Sequence, residues 1–373
     1  RGFGFSAEIQ VSDVLGNHVI NAGGMLTNSF DQGDLFAEYK YLKYWMDFKL
    51  RIIRQSLYFE NDAENFLRQS YKLNGMIIGA AVPVTNKFRL ELNPFFQQTS
   101  FNNLQYESVN ANYTVDYADD SRVWYSGFHL KGIFDNTEEQ GFNILQGTRA
   151  LVEFQYNQSF SKNKSFNLIR FDLRHYQKIH NELTLATRIY MGKSFGTNPQ
   201  KFLLGGVPNW VLAQTKEHSG EDPLSVANEI DNSNLLFTEF VNHMRGYDLN
   251  EKYGTAAMLI NIELKFPVFQ YLSRTPVKST FLRNFMLVAF TDVGSAWNGK
   301  IPITRKGSII FINYEETPFK ANVANYASPW LASCGFGLRT ALLGYYLKID
   351  YARPIEDFEL KSAKFTLSLG LDF

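Results

Sequence analysis

The residues with which this chain could do covalent or metal chemistry are few and poorly spaced for it. Its six histidines, His18, His129, His175, His180, His218 and His243, show no H-E-x-x-H or other ligand spacing, so a zinc site has no basis in the sequence. His175 and His180 stand nearest each other, but a turn expected between them places them on different strands. A single cysteine, Cys334, excludes an internal disulfide framework and a cysteine-rich metal site. No G-x-S-x-G turn offers a nucleophile. Asp119-Asp120 and Glu138-Glu139 fall in predicted loops, where solvated charge is the simpler reading. Gly23-Gly24 and Gly205-Gly206 lack the strand-to-helix setting of a phosphate loop. Charge pairing remains. Arg245, within Met244-Arg245-Gly246-Tyr247, carries a planar fork of donors suited to a carboxylate. Asp292 is the candidate acceptor, with Glu263 as a second. The plain alternative is a solvated Arg245 and an Asp292 that is only a wall charge. No enzyme activity, cofactor or metal is expected.

Composition narrows the setting. The 373 residues hold 37 Lys+Arg against 37 Asp+Glu, and without a basic excess there is nothing to drive nucleic-acid binding. Aromatic residues make up 16% of the chain, a share that needs an explanation. The longest apolar stretch, Met76 to Val84, contains Gly79 and Pro83 and falls short of the roughly 20 apolar residues that a spanning helix needs. The opening Arg1-Gly2-Phe3-Gly4 is not a signal peptide, so the chain is expected to be mature or a piece of something longer.

The elements that must position Arg245 and its partners are strands. No linker or low-complexity tract divides the chain, which reads as one domain over 1–373. Period-two alternation recurs throughout. Phe365, Leu367, Leu369, Leu371 and Phe373 share one face, opposite Lys364, Thr366, Ser368, Gly370 and Asp372. Met258, Ile260, Ile262, Leu264 and Phe266 likewise oppose Asn261, Glu263 and Lys265. A soluble antiparallel sheet also alternates. Here the polar face carries large charges strand after strand, the apolar face is rich in aromatics, and only 57–68 reads as helical, so little could cover that face. A transmembrane antiparallel β-barrel accounts for all of this, with the apolar face and aromatic girdles meeting lipid and the polar face lining the lumen. Cys334 is expected toward lipid beside Phe336 and Leu338, and the five tryptophans are expected mostly near strand ends as interfacial anchors. Fifteen strands are read: 3–11, 18–26, 33–42, 45–54, 69–82, 86–99, 121–134, 145–160, 165–178, 181–195, 254–267, 283–297, 329–341, 343–353 and 362–373. Bacterial barrels are usually even-numbered, so a sixteenth is expected within 101–117 or before residue 1. The gap at 196–253 is too long for a turn and is read as a loop folded into the lumen. Phe290, Asp292 and Gly294 share one face by their spacing, and a charged face in such a barrel is the luminal one.

Six short motifs then occur in order: Phe202-Leu203-Leu204-Gly205-Gly206, Met244-Arg245-Gly246-Tyr247, Glu263 to Pro267, Phe290-Thr291-Asp292-Val293-Gly294, Gly335-Phe336-Gly337-Leu338-Arg339, and Leu347 to Ala352. Each alone is weak; the ordered set over about 200–373 resembles the C-terminal barrel of the Omp85 superfamily, the bacterial surface antigen D15 type. Met244 stands where that family has Val or Leu, a volume-conserving change. The stretch 207–243 is longer than the family's spacer, an insertion of unassigned role. The family's POTRA repeats are absent from these residues. Phe5-Ser6-Ala7-Glu8 and Ser12 to His18 resemble members in which a periplasmic β-propeller precedes the barrel.

The resemblance implies a sixteen-stranded barrel in the outer membrane of a Gram-negative bacterium, taking part in insertion, assembly or translocation of proteins. It favours the Arg245–Asp292 pair as a lumen-loop anchor, with Gly246, Tyr247 and Glu263. Gly205, Gly206, Phe290, Gly294, Gly335, Gly337 and Arg339 are its motif residues. Its implied partners are outer-membrane lipids and other outer-membrane or periplasmic proteins, and no nucleic acid. The terminal strand, ending in Phe373, resembles the assembly signal of such barrels. In insertase-type members it also implies a weak seam with the first strand, where Gly370 would kink the chain and free edge groups for a client strand. The alternatives are a non-catalytic anchor or scaffold in a larger complex, whose periplasmic domain lies upstream of residue 1, and a passive channel.

Overall fold

A computed structural model describes residues 5–26, 33–61, 67–109, 112–117, 121–141, 144–161, 163–180, 182–211, 213–216, 236–273, 277–302, 309–316, 319–326, 328–342, 345–356 and 359–370. The alternating segments are strands. In chain order they are β1 (Phe5–Ser12), β2 (His18–Leu26), β3 (Gly33–Tyr41), β4 (Asp47–Asn61) and β5 (Leu67–Thr85). Then come β6 (Phe88–Val109), β7 (Ser121–Asp135), β8 (Ile144–Ser159), β9 (Phe166–His180) and β10 (Leu183–Gly196). The last are β11 (Ala256–Phe266), β12 (Met286–Trp297), β13 (Leu331–Leu342), β14 (Tyr345–Glu356) and β15 (Lys364–Leu369). Each pairs antiparallel with the next in sequence, a continuous meander. The protein is all-β and antiparallel, and no helix among the described residues is long and apolar enough to cross a membrane.

The two faces of this sheet are distributed in reverse of a water-soluble protein. On β11, Asn261, Glu263 and Lys265 are buried, while Ile262 and Leu264 are exposed. On β10, Thr184, Ala186, Arg188 and Tyr190 are buried and Met191 and Phe195 exposed. On β15, Thr366 and Ser368 are buried and Phe365 and Leu367 exposed. Soluble folds almost never leave so many large apolar side chains outside while enclosing Arg, Lys and Glu. A hydrocarbon exterior makes both placements favourable, because apolar groups meet lipid and charges meet one another inside. Cys334 shares a face with the exposed Phe336, as β13 alternates.

Several expectations are corrected. Residues 57–61 and 67–68 are not helical; they extend β4 and β5, paired from Leu57↔Tyr71 to Asn61↔Leu67, because each further pair adds ladder hydrogen bonds to the hairpin. Residues 101–117 supply no additional stave. Their first part prolongs β6, and Asn112–Tyr117 folds back on it, Leu104 facing Tyr117. The described residues thus hold the fifteen staves, with the pieces Asn112–Tyr117, Glu138–Gly141 and Glu359–Leu360 completing an eighteen-stranded sheet. His175 and His180 both lie on β9; the turn comes after them. A hairpin of Ile309–Glu316 with Phe319–Tyr326 was not anticipated. Phe373 and Leu371 lie outside the described residues.

Candidate functional site

Between β10 and β11 the chain leaves the sheet and returns to a neighbouring stave. This connection folds on itself through three short strands: Phe202–Leu204 pairs parallel with Glu239–Val241 and antiparallel with Lys252–Gly254. Its apolar side chains are enclosed. Phe202, Leu204, Val241, Met244 and Tyr247 form one buried cluster with Leu168, Tyr190, Ala257, Leu259, Ala296 and Leu331 of the staves. Beneath these residues the inward face of the staves is apolar. Gly206, with φ 66°, makes the turn after Phe202–Leu204 and bridges to Met244; any Cβ there would press on the Leu249 side chain.

That turn delivers Arg245 to a patch two residues wide on each of two staves. Asn261 pairs with Asp292 and Glu263 with Phe290 across β11 and β12, and the period of two turns all four to the same face. Arg245 lies over this square. Its Nε donates to Asp292 Oδ2 at 2.7 Å and its Nη2 to Asp292 Oδ1 at 2.6 Å, the bidentate geometry of a guanidinium on a carboxylate. Its Nη1 donates to Glu263 Oε1 at 2.5 Å and its backbone N–H to Asp292 Oδ2 at 3.2 Å. The guanidinium carbon stands 3.7 Å from the Phe290 ring centroid, within cation–π range. Asn261 Nδ2 donates to Asp292 Oδ1 and to the His243 carbonyl, at 2.7 and 2.6 Å. Arg245, Glu263, Asp292 and Asn261 are all buried to 2% exposure or less. Burial works against the charge of Arg245, but Asp292 and Glu263 outweigh it and hold the guanidinium well above its ordinary range.

The neighbouring motif residues shape this patch. Gly246, φ 85°, turns the chain so that the Tyr247 hydroxyl donates to the Ala332 carbonyl at 2.9 Å. Gly335 faces Phe290 across β12 and β13, where a Cβ would collide with the Tyr351 carbonyl and come 2.8 Å from the ring; glycine leaves room for the β14 backbone and for the ring under Arg245. One pair further, Gly337 leaves room for Arg339 and Asp350, which meet at 2.8 Å, fully buried. Gly294 lies beneath Leu204, and Gly205 against the backbone of Asp248. Gly370, φ 104°, follows the end of β15, away from the Arg245 patch.

Three contributors were not singled out from the sequence. Asn261 was read only as a polar-face residue. Glu239, within the insertion, accepts from Arg170 Nη1 at 2.6 Å, and Arg170 also meets Glu153 at 2.9 Å. Asp172 accepts from both Arg174 and Arg188, while Arg188 contacts His243. These links couple the connection to staves β8, β9 and β10, and nothing in local spacing announces which charges on a luminal face will meet. Among the described residues no group of three His, Cys, Asp or Glu is placed to hold a metal ion.

Comparison with known proteins bears on this arrangement. A family model described as the Omp85 superfamily domain matches residues 32–373. Among solved structures, the chain is similar to BamA from Haemophilus ducreyi lacking POTRA domains 1–3, with TM-score 0.61 and 15% identity over 99% of this chain and 68% of that one. It is similar to CdiB from Acinetobacter baumannii, TM-score 0.53, 12% identity, 99% of this chain and 56% of that one. It is similar also to CdiB from Escherichia coli, TM-score 0.52, 10% identity, 98% and 59%. At these identities the likeness is one of fold. Comparison with curated proteins gives no match.

Proposed function

Since the chain belongs to the Omp85 superfamily, we propose that it works in the outer membrane of a Gram-negative bacterium, where it takes part in inserting or assembling other outer-membrane proteins. It does so by offering a strand edge and disturbing the nearby bilayer, with no covalent chemistry. Its partners are outer-membrane lipids and other outer-membrane or periplasmic proteins. Arg245, Gly246 and Tyr247, seated on Asp292 and Glu263, are the anchor that keeps the connection between β10 and β11 against the wall.

One observation carries this reading. Among the described residues β15 is paired with a stave on one side alone, β14. The backbone groups of Leu367 and Leu369 point the other way, and Gly370 breaks the extended conformation immediately after. A strand edge that no second stave covers is a template for another chain.

The test is reconstitution in liposomes with an unfolded eight-stranded outer-membrane barrel as probe, its folding followed by heat-modifiable mobility on gels. Faster folding than in protein-free liposomes supports the insertion role. Unchanged folding, together with stable co-purification of other envelope proteins, would replace it with the anchor or scaffold role.

A further inference from the structure

Besides the Asp248–Lys364 ion pair at 2.8 Å, the connection between β10 and β11 makes one backbone contact with β15 that its own packing does not require. After the turn at Gly206 the chain reaches β15 from the side that β14 leaves open. The Leu369 N–H donates to the Asn209 carbonyl at 3.3 Å, and the Val211 N–H donates to the Leu367 carbonyl at 2.9 Å. The Asn209 side-chain Nδ2 donates to the Leu369 carbonyl at 3.1 Å. Asn209 therefore takes both backbone groups of Leu369, as a neighbouring strand would. Trp210 stands opposite Ser368 in an antiparallel bridge.

The outward backbone groups of Leu367 and Leu369 are thus already engaged. Residues of β15 alternate in direction: Gly370 N–H bonds back to Tyr346 of β14, so Leu367 and Leu369 present the opposite edge. Any strand laid laterally on that edge needs the groups now held by Asn209 and Val211. Gly370 matters here too, because a Cβ at that position would stand 3.3 Å from Asn209 Nδ2. Asn209 itself is left-handed, φ 54°, a conformation asparagine tolerates better than most residues. The contact is a single bridge and not a ladder, so it can be exchanged for a longer one.

We infer that Asn209–Val211 is a tethered occupant of a strand-binding edge on β15, displaced when an extended strand of an unfolded membrane protein pairs there antiparallel. The identity of the partner rests on the insertion role proposed above; the occupied edge does not. The edge also sets what fits. Phe365 and Leu367 are exposed and Thr366 and Ser368 buried, so a matching strand alternates apolar and small polar residues.

The bridge geometry supplies the test. Trp210 and Ser368 form a non-hydrogen-bonded antiparallel pair, whose side chains are close enough for a disulfide. In a Cys334→Ser background, Trp210→Cys and Ser368→Cys should cross-link on oxidation in membranes. Phe365→p-benzoylphenylalanine then reports capture of a labelled peptide, the last strand of the eight-stranded probe barrel. The reduced protein is expected to capture the peptide at least about tenfold better than the oxidised one, since a locked occupant withholds three hydrogen bonds from the peptide. Asn209→Ala, which removes the side-chain clamp without new cysteines, is expected to raise capture above the parent protein. Failure to cross-link, equal capture in both redox states, or capture in neither overturns the inference. Redox-dependent capture with no acceleration of probe folding would leave the inference standing and remove the insertion role.

Discussion

Arg245 rests face-on over the ring of Phe290, 3.7 Å from its centroid, while two of its nitrogens close on Asp292. The aromatic shuts one face of the cation and the carboxylates take its edge. A charge enclosed in this way depends on each partner, because the buried surroundings penalise any charge left alone.

Removing either member should therefore be severe. Arg245→Ala and Asp292→Ala are each expected to cost about 3–5 kcal/mol, the range for breaking a buried pair. The double variant should cost less than the two together. Urea unfolding in detergent, read as a complete double-mutant cycle, checks this; additive losses would mean that the two residues are not an energetic unit. Arg245→Lys should fall between, since an ammonium cannot serve Asp292 and Glu263 in one plane.

The second attachment is weaker. Glu239→Gln leaves Arg170 its contact with Glu153, so the loss is expected near 1 kcal/mol. Its signature is local: amide exchange at Phe202–Leu204, the parallel partners of Glu239–Val241, should quicken while that of β12 stays the same. Unchanged exchange at Phe202–Leu204 would show that the contact holds nothing.

Glycine at 335 is a matter of space. Gly335→Ala should crowd the Tyr351 carbonyl and the Phe290 ring beneath Arg245 and cost about 1–3 kcal/mol, as overpacking does. Gly132→Ala is the matched control, with its nearest neighbours at 3.7 Å, and is expected to stay within about 0.5 kcal/mol. Similar melting temperatures for the two variants would contradict this account.

The exterior can be tested by charge. Ile262→Lys, one residue from the buried Asn261 and Glu263, should destabilise the protein in bilayers by about 2–4 kcal/mol near the midplane and less toward either interface. Reversible folding into lipid vesicles measures it. A neutral result would mean that the exposed face of β11 does not meet hydrocarbon.

Much of this was legible beforehand, and for physical reasons. Alternation with charges on one face identified the staves, because lipid outside and charge inside impose the same pattern on each of them. The square under Arg245 was legible because residues two apart share a face, so Phe290 with Asp292, and Glu263 with Asn261, needed only register to meet. What escaped had no period. The strands within the connection are three residues long, too short for any alternation to show. Residues 57–61 lack the clean alternation, and it is their pairing with 67–71 that makes them strand. Asn209 and Glu239 act through single contacts across the chain, and such contacts leave no trace in neighbouring residues.

The departure and return of the connection have a mechanical consequence. Lys193 on β10 is the register partner of Ala256 on β11, so the connection leaves and rejoins the sheet at adjacent positions on neighbouring staves. Its attachments to the wall, at Arg245, Glu239 and the buried cluster, and to β15, at Asn209 and Asp248, are made by side chains or single backbone bridges. None of them is a rung between staves, so each can be released without unzipping one stave from the next.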